Sequence, residues 1–301
     1  MSRSRDIADS TKTLGVDGGT IKLDGNYPVG TDNVALGDTA LDSVEASGNN
    51  NTAIGSNAGT AITTGDNNTL IGSLAGDALD AGGNNVAIGF RALSAEDGHG
   101  TNIAIGSDTL KVQNAGTNAY NIAIGHDAGK AVTTGLKNTL IGGQAGDSLT
   151  TNGLNVAVGY GALSTEDTGS RNVAIGVSAL SSQNADTTNY NVAVGYNAGS
   201  AVTTGIQNTL IGGLAGDSTT TGNDNTGVGY QALGANTTGH SNAAVGSASL
   251  DANTTGNENT AVGFGALSAN TTAGENTAIG QNALVTNTTG ASNTALGKSS
   301  L

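Results

Sequence analysis

The chain has 301 residues, of which 49 are Gly, with one Pro, no Cys, no Trp and only 3% aromatic residues. Such a composition excludes a thick globular core, so any interior must be thin and made of Ile, Val, Leu and Ala. A formal net charge of -14 argues against nucleic acid as a partner, because phosphates would be repelled, and the lack of Cys leaves the redox compartment open.

Residues 1–30 stand apart from the rest of the chain. They carry four of the ten basic residues, Arg3, Arg5, Lys12 and Lys22, and the single proline, Pro28. This segment is expected to cap the structure beyond it and to dock it on a larger assembly, with Arg3 and Arg5 as candidate docking residues. A partly disordered tail is the plainer reading. Residues 1–10 are polar and contain no apolar h-region, and no apolar run in the chain is long enough to span a bilayer, so membrane insertion is not expected.

From Asn33 onward a pentapeptide of the form Asn, variable, small, aliphatic, Gly recurs sixteen times. Its glycines run from Gly37 and Gly55 to Gly280 and Gly297, and their spacing is 17 residues apart from one gap of 18 and two of 19. A fixed short period over residues 31–301 means a stacked repeat. Three residues before the glycine stands Val, Ile or Thr in every copy but Ala243; one before stands Ile, Val or Leu. β-Branched residues at alternate positions predict a short strand with one aliphatic face and one face of Asn and Ala. No charge enters this strand, so both faces should be covered: one by the interior of the coil, the other by a neighbouring copy of the chain.

The Asn four residues before each glycine never changes. Stacked coil on coil, Asn51, Asn68, Asn85, Asn102, Asn121, Asn138, Asn155, Asn172, Asn191, Asn208, Asn225, Asn242, Asn259, Asn276 and Asn293 should form an amide ladder that fixes register.

After each glycine a second strand is expected, with Ala three residues on in thirteen copies and Leu or Gly at the fourth. Where Gly replaces Leu, as at Gly59, Gly76, Gly129, Gly146 and Gly199, an aliphatic stands three residues later: Ile62, Leu79, Val132, Leu149 and Val202. Gly216 breaks this rule, since Thr219 takes the aliphatic's place and should leave its coil less well filled. Segments such as Thr64-Gly65-Asp66 and Asn253-Thr254-Thr255-Gly256 read as turns. Over the short period lies a long one, for residues 51–77 match 121–147 and 191–217 at steps of 70, four coils each. At about 4.8 Å per layer, fifteen intervals would make a rod roughly 70 Å long. One aliphatic-Gly corner per coil, instead of three, favours a flattened roll over a triangular helix.

The unit Asn85-Val86-Ala87-Ile88-Gly89 with Ala92-Leu93 resembles the head repeats of trimeric autotransporter adhesins. That resemblance implies a left-handed parallel β-roll in an intertwined homotrimer, although the period here is longer. The form Asn259 to Gly263 with Ala266-Leu267, Asn270-Thr271-Thr272 and Gly274 is similar to repeats of bacteriophage tail-fibre and other virion fibre proteins, and Met1 to Ala8 resembles the start of such chains. The fold class expected is therefore all-β, a parallel β-solenoid of 16 coils in a homotrimer. Since neither a signal peptide nor a membrane anchor is seen, the favoured setting is a virion, with synthesis in the host cytoplasm. The head of a bacterial surface adhesin is the alternative.

Chemistry is sparse. His99, His126 and His240 occupy different phases of the repeat, so no shared metal or catalytic site is expected. Glu96-Asp97 and Glu166-Asp167 recur about 19 Å apart by the layer estimate, too far for a hydrolase's carboxylate pair, and read as solvated turn charges. Asp77, Asp147 and Asp217 share a phase that suits Asx turns better than calcium. No P-loop, GxSxG elbow or dinucleotide fingerprint occurs; neither enzymatic activity nor a cofactor is expected. The position just after the marker glycine varies freely, which suggests a solvent-facing site. Phe90, Tyr160, Tyr196, Tyr230 and Phe264 all fall there, as candidates for stacking on host-surface glycans or for packing against an adjacent chain.

Overall fold

A computed structural model describes residues 30–301, together with the backbone of β1 (Leu14–Val16) and β2 (Gly19–Ile21), which pair antiparallel with Leu14 opposite Ile21. Arg3, Arg5 and Pro28 lie outside the described residues. The remainder is a parallel β-solenoid with one strand per coil, and it divides into two compact units. The first, ending at Leu136, carries β3 (Val34–Leu36), β4 (Thr52–Ile54), β5 (Thr69–Ile71), β6 (Val86–Ile88), β7 (Ile103–Ile105) and β8 (Ile122–Ile124). The second, beginning at Lys137, carries ten more, from β9 (Thr139–Ile141) to β18 (Thr294–Leu296). Pairing is in register throughout each unit, so that Thr52 lies beside Thr69 and Val156 beside Val173.

The irregular spacings do not disturb this register. Ile103 still pairs with Ile122 and Val173 with Val192, each across a gap of 19. The surplus residues are absorbed in the turns, where Gly116, with a φ of 64°, stands in open space.

Each strand is only three residues long, and its middle residue points inward. Ala53, Leu70, Ala87, Ala157 and Leu210 are fully buried, whereas their flanking β-branched neighbours are half-buried or exposed. The apolar interior is thus built of small residues, with larger plugs supplied from the next segment.

That next segment is not the second strand the sequence suggests. It is a run of turns: Ala58 N–H donates to Gly55 O at 3.3 Å and Ile62 N–H to Gly59 O at 3.1 Å, while Gly59 N–H reaches Ala75 O of the next coil at 3.0 Å. The cause lies in the backbone, because the second and fourth residues after the marker glycine are left-handed in coil after coil, as Asn57 (φ 59°) and Gly59 (φ 57°) show. Alternate left-handed residues curl the chain and preclude an extended ladder.

Leu163, at φ 53°, accepts this conformation although it is no glycine. A left-handed residue costs about 1–2 kcal/mol, and burying a Leu side chain contributes about 1.5–3 kcal/mol, so the plug offsets the strain. Where Gly holds the position, the plug comes from three residues later and fills the same volume. A Cβ on Gly59 would stand 2.6 Å from Leu70 Cδ1 and 3.1 Å from Ile62 Cδ1, which is why Leu and the later aliphatic alternate.

Thr219 is the exception already visible in the sequence. It is fully buried, and its hydroxyl has no hydrogen-bond partner. Thr219→Val keeps the shape and removes the unpaired group, so unfolding in urea should shift to higher midpoint by about 1–2 kcal/mol of stability. An unchanged or lowered midpoint would mean that the hydroxyl is satisfied.

Candidate functional site

The Asn positions converge as the sequence predicts. Asn51 Oδ1 accepts from both the backbone N–H and the side-chain Nδ2 of Asn68, each at 3.0 Å, and Asn68 Nδ2 also donates to Gly82 O at 2.9 Å. The same pattern recurs at Asn85 and Asn102 in the first unit, and at Asn225, Asn242, Asn259 and Asn276 in the second. Asn155, Asn172 and Asn208 donate their backbone N–H to the Oδ1 of Asn138, Asn155 and Asn191 in turn. The role is structural: a buried amide supplies the acceptor for the N–H of the next Asn, one residue ahead of its strand, and its Nδ2 ties a turn such as that at Gly82, fourteen residues on.

A second Asn ladder lies in a stretch that reads in the sequence only as turn chemistry. Asn253 Nδ2 donates to Asn236 Oδ1 at 2.9 Å, and Asn270 Nδ2 to Asn253 Oδ1 at 3.0 Å, all three side chains being buried. They occupy the seventh position after the marker glycine, the same interior column as Ile62, Leu79, Val132 and Leu149.

That column also overturns the reading of Glu96 and Glu166 as solvated charges. Both are fully buried. Glu166 Oε1 accepts from Gly169 N–H at 2.6 Å and Oε2 from Asn189 Nδ2 at 2.8 Å; Glu96 Oε2 accepts from Gln113 Nε2 at 3.0 Å. Gln113 passes the chain on, its Oε1 accepting from Asn121 Nδ2 at 2.7 Å. Burial pushes the pKa of both glutamates above the usual carboxylate range, against the lowering effect of these hydrogen bonds. Burial raises those of Asp77 and Asp217 as well.

The candidate surface rings are all exposed. Phe90 is 46% exposed, Phe264 57%, and Tyr160 and Tyr196 each 60%, with Tyr230 in the same range. In the second unit they form a series, because Tyr160, Tyr196, Tyr230 and Phe264 fall on alternate coils with Val177, Gly213 and Ser247 between. Gly213 leaves room for a ring: a Cβ there would meet Tyr230 Cδ2 at 3.7 Å. Two layers of about 4.8 Å each place successive rings about 10 Å apart.

No protein-family model matches the chain, and neither does any curated protein sequence.

Two further exposed rings lie outside the phase that the sequence marks as variable. Tyr120 and Tyr190, 70 residues apart, sit in the two 19-residue coils, and Arg171 lies over the Tyr190 ring at 5.6 Å from its centroid. Their shared place in the 19-residue gaps is the signal that could have found them.

The outward strand face is the other open surface. Ile175, Ile211, Val245, Val262 and Ile279 stay exposed, all one residue before their marker glycine, so in the second unit an aliphatic stripe faces outward along the parallel strands. Of the histidines, His126 and His240 are exposed, and among the described residues only His99 has two acidic neighbours within reach: Glu96, Asp97 and His99 offer ligand atoms within 4.8 Å of one another. Among the described residues no helix is long and apolar enough to cross a membrane.

Proposed function

We propose that this chain is a non-enzymatic fibre protein of a phage virion, a tail fibre or similar appendage, that assembles as a homotrimer and attaches to the host surface. The observation that carries this reading is the series of exposed rings on alternate coils of the second unit, at even spacing on a scaffold of repeated coils. Tyr and Phe presented this way offer flat apolar faces to sugar rings, and the rigid coil fixes their separation without an entropy cost on binding.

Trimer formation rests on the outward strand stripe. In a single chain these aliphatics face water, an arrangement that marks an interaction surface, and an identical face on each copy lets three chains cover one another. The segment 1–30, with Arg3 and Arg5, joins the fibre to the particle in this scheme. The resemblance of the repeats to virion fibre sequences supports the same assignment.

Multi-angle light scattering should give three times the chain mass of 29.1 kDa. The triple variant Tyr160→Ala, Tyr196→Ala, Tyr230→Ala should lose at least about ten-fold in binding to host cells or their surface glycans, since each stacked ring contributes of order 1 kcal/mol, while the mass stays trimeric. Dissociation of the triple variant would instead assign the rings to packing between chains. A monomer at all concentrations would defeat the trimer.

A further inference from the structure

We infer that Glu96, Asp97 and His99 form a binding site for a divalent transition metal of the zinc class. The decisive group is Glu96. Its side chain is fully buried, its Oε2 is taken by Gln113, and its Oε1 has no hydrogen-bond partner, yet it faces His99 Nδ1 at 3.8 Å. His99 Nδ1 is itself buried and without a hydrogen bond. A carboxylate oxygen and an imidazole nitrogen aimed at each other with neither bonded are a ready pair of ligands, and the Asp97 carboxylate supplies the third within the same 4.8 Å.

The chain contains its own control. Seventy residues on, Glu166 occupies the same interior position, but there both oxygens are engaged by Gly169 N–H and Asn189 Nδ2. His99 stands where Gly169 does, and Ala119 where Asn189 does; in the first copy Gln113 supplies the amide donor to Oε2, while the bond that Gly169 N–H makes to the other oxygen has no counterpart. The oxygen left without a partner is the one that faces the new imidazole.

The donor set selects the ion. One imidazole nitrogen and two carboxylate oxygens suit zinc, which takes four ligands at about 2.0–2.2 Å and so needs them roughly 3.4 Å apart, with water in the fourth place. The present separations close to that value by rotation of His99 and Asp97, of which Asp97 is exposed. Access is open, since nothing lies within 4 Å of where a Cβ on Gly98 would be.

The full chain should be titrated with Zn2+ by calorimetry, and with Co2+ to record the visible absorption of a low-coordinate site. One ion per chain is expected, and the Co2+ bands should report nitrogen and oxygen ligands. His99→Gly, which installs the residue the second copy already tolerates, should weaken binding by at least about ten-fold while leaving the circular dichroism unchanged. His126→Ala should leave binding intact. Absence of stoichiometric binding, equal affinity in His99→Gly, or loss of binding in His126→Ala would each overturn the proposal.

Discussion

Gly159→Ala is expected to prevent the second unit from folding, with a loss of more than about 4 kcal/mol. Gly159 has a φ of 137°, a region of the map that essentially only glycine enters, and a Cβ there would overlap the carbonyl oxygen of Gly176 and stand 2.6 Å from its carbonyl carbon. Both obstacles are backbone, so no rotamer change relieves them. The next coil would have to move away, and with it the strand pairing of Val156 with Val173.

Two residues on, Gly161 provides the contrast. It too is left-handed, at 62°, but a Cβ there would meet nothing closer than Ser164 Oγ at 4.0 Å. Gly161→Ala should therefore cost only about 1–2 kcal/mol, the penalty of the left-handed conformation alone. Urea unfolding of the two variants checks the difference, and similar midpoints would show that the coils are not held at the spacing described.

Asn208→Ala should cost about 2–6 kcal/mol, because it leaves two buried backbone groups without partners at about 1–3 kcal/mol each. Asn208 Nδ2 donates to Gly222 O at 2.8 Å, and Asn208 Oδ1 accepts from Asn225 N–H at 3.0 Å. Solvent offers no substitute partner, since Asn208 and Asn225 are fully buried. Asn208→Asp restores the acceptor but turns a carboxylate oxygen toward the Gly222 carbonyl. Burial without a counter-ion raises the folded-state pKa of such a group, so this variant should be least stable at neutral pH and regain stability as the pH falls through that raised value. Thermal unfolding at several pH values reads both effects; a flat profile for Asn208→Asp would place the side chain in solvent.

The strand and its amide ladder are legible in the sequence because one short period repeats the Asn without exception and the β-branched residue in every copy but that of Ala243. Positions that tolerate several residue types are harder to read. The left-handed turn residues are Asn57 in one coil, Arg91 in another and Gln231 in a third, so no composition marks them, and the Ala-Leu pair beside them has the look of a strand. Glu96 and Glu166 mislead for a related reason: a glutamate beside an aspartate in a polar stretch resembles a surface turn. Their position is revealed by aligning the seventh residue after every marker glycine, where Val44, Ile62, Leu79, Val132 and Val202 show the column to be interior. The outward aliphatic stripe is evident as a face, but its cover belongs to assembly, which a single chain does not contain. The exposed rings stand out because the variable phase betrays solvent, whereas Tyr120 and Tyr190 escape notice because they lie where the period slips.

Among the described residues, the hydrogen bonds within each unit lie inside one coil, as Ile62 N–H to Gly59 O does, or reach the adjoining coil, as Asn242 N–H to Asn225 Oδ1 and Thr254 N–H to Thr271 O do. Distant parts of a unit never need to find each other in the unfolded chain. Growth can begin at any pair of neighbouring coils and advance one layer at a time, each new layer adding the same bonds as the last. The rate of such a process is set by forming the first pair, so lengthening the stack should leave the speed of folding almost untouched.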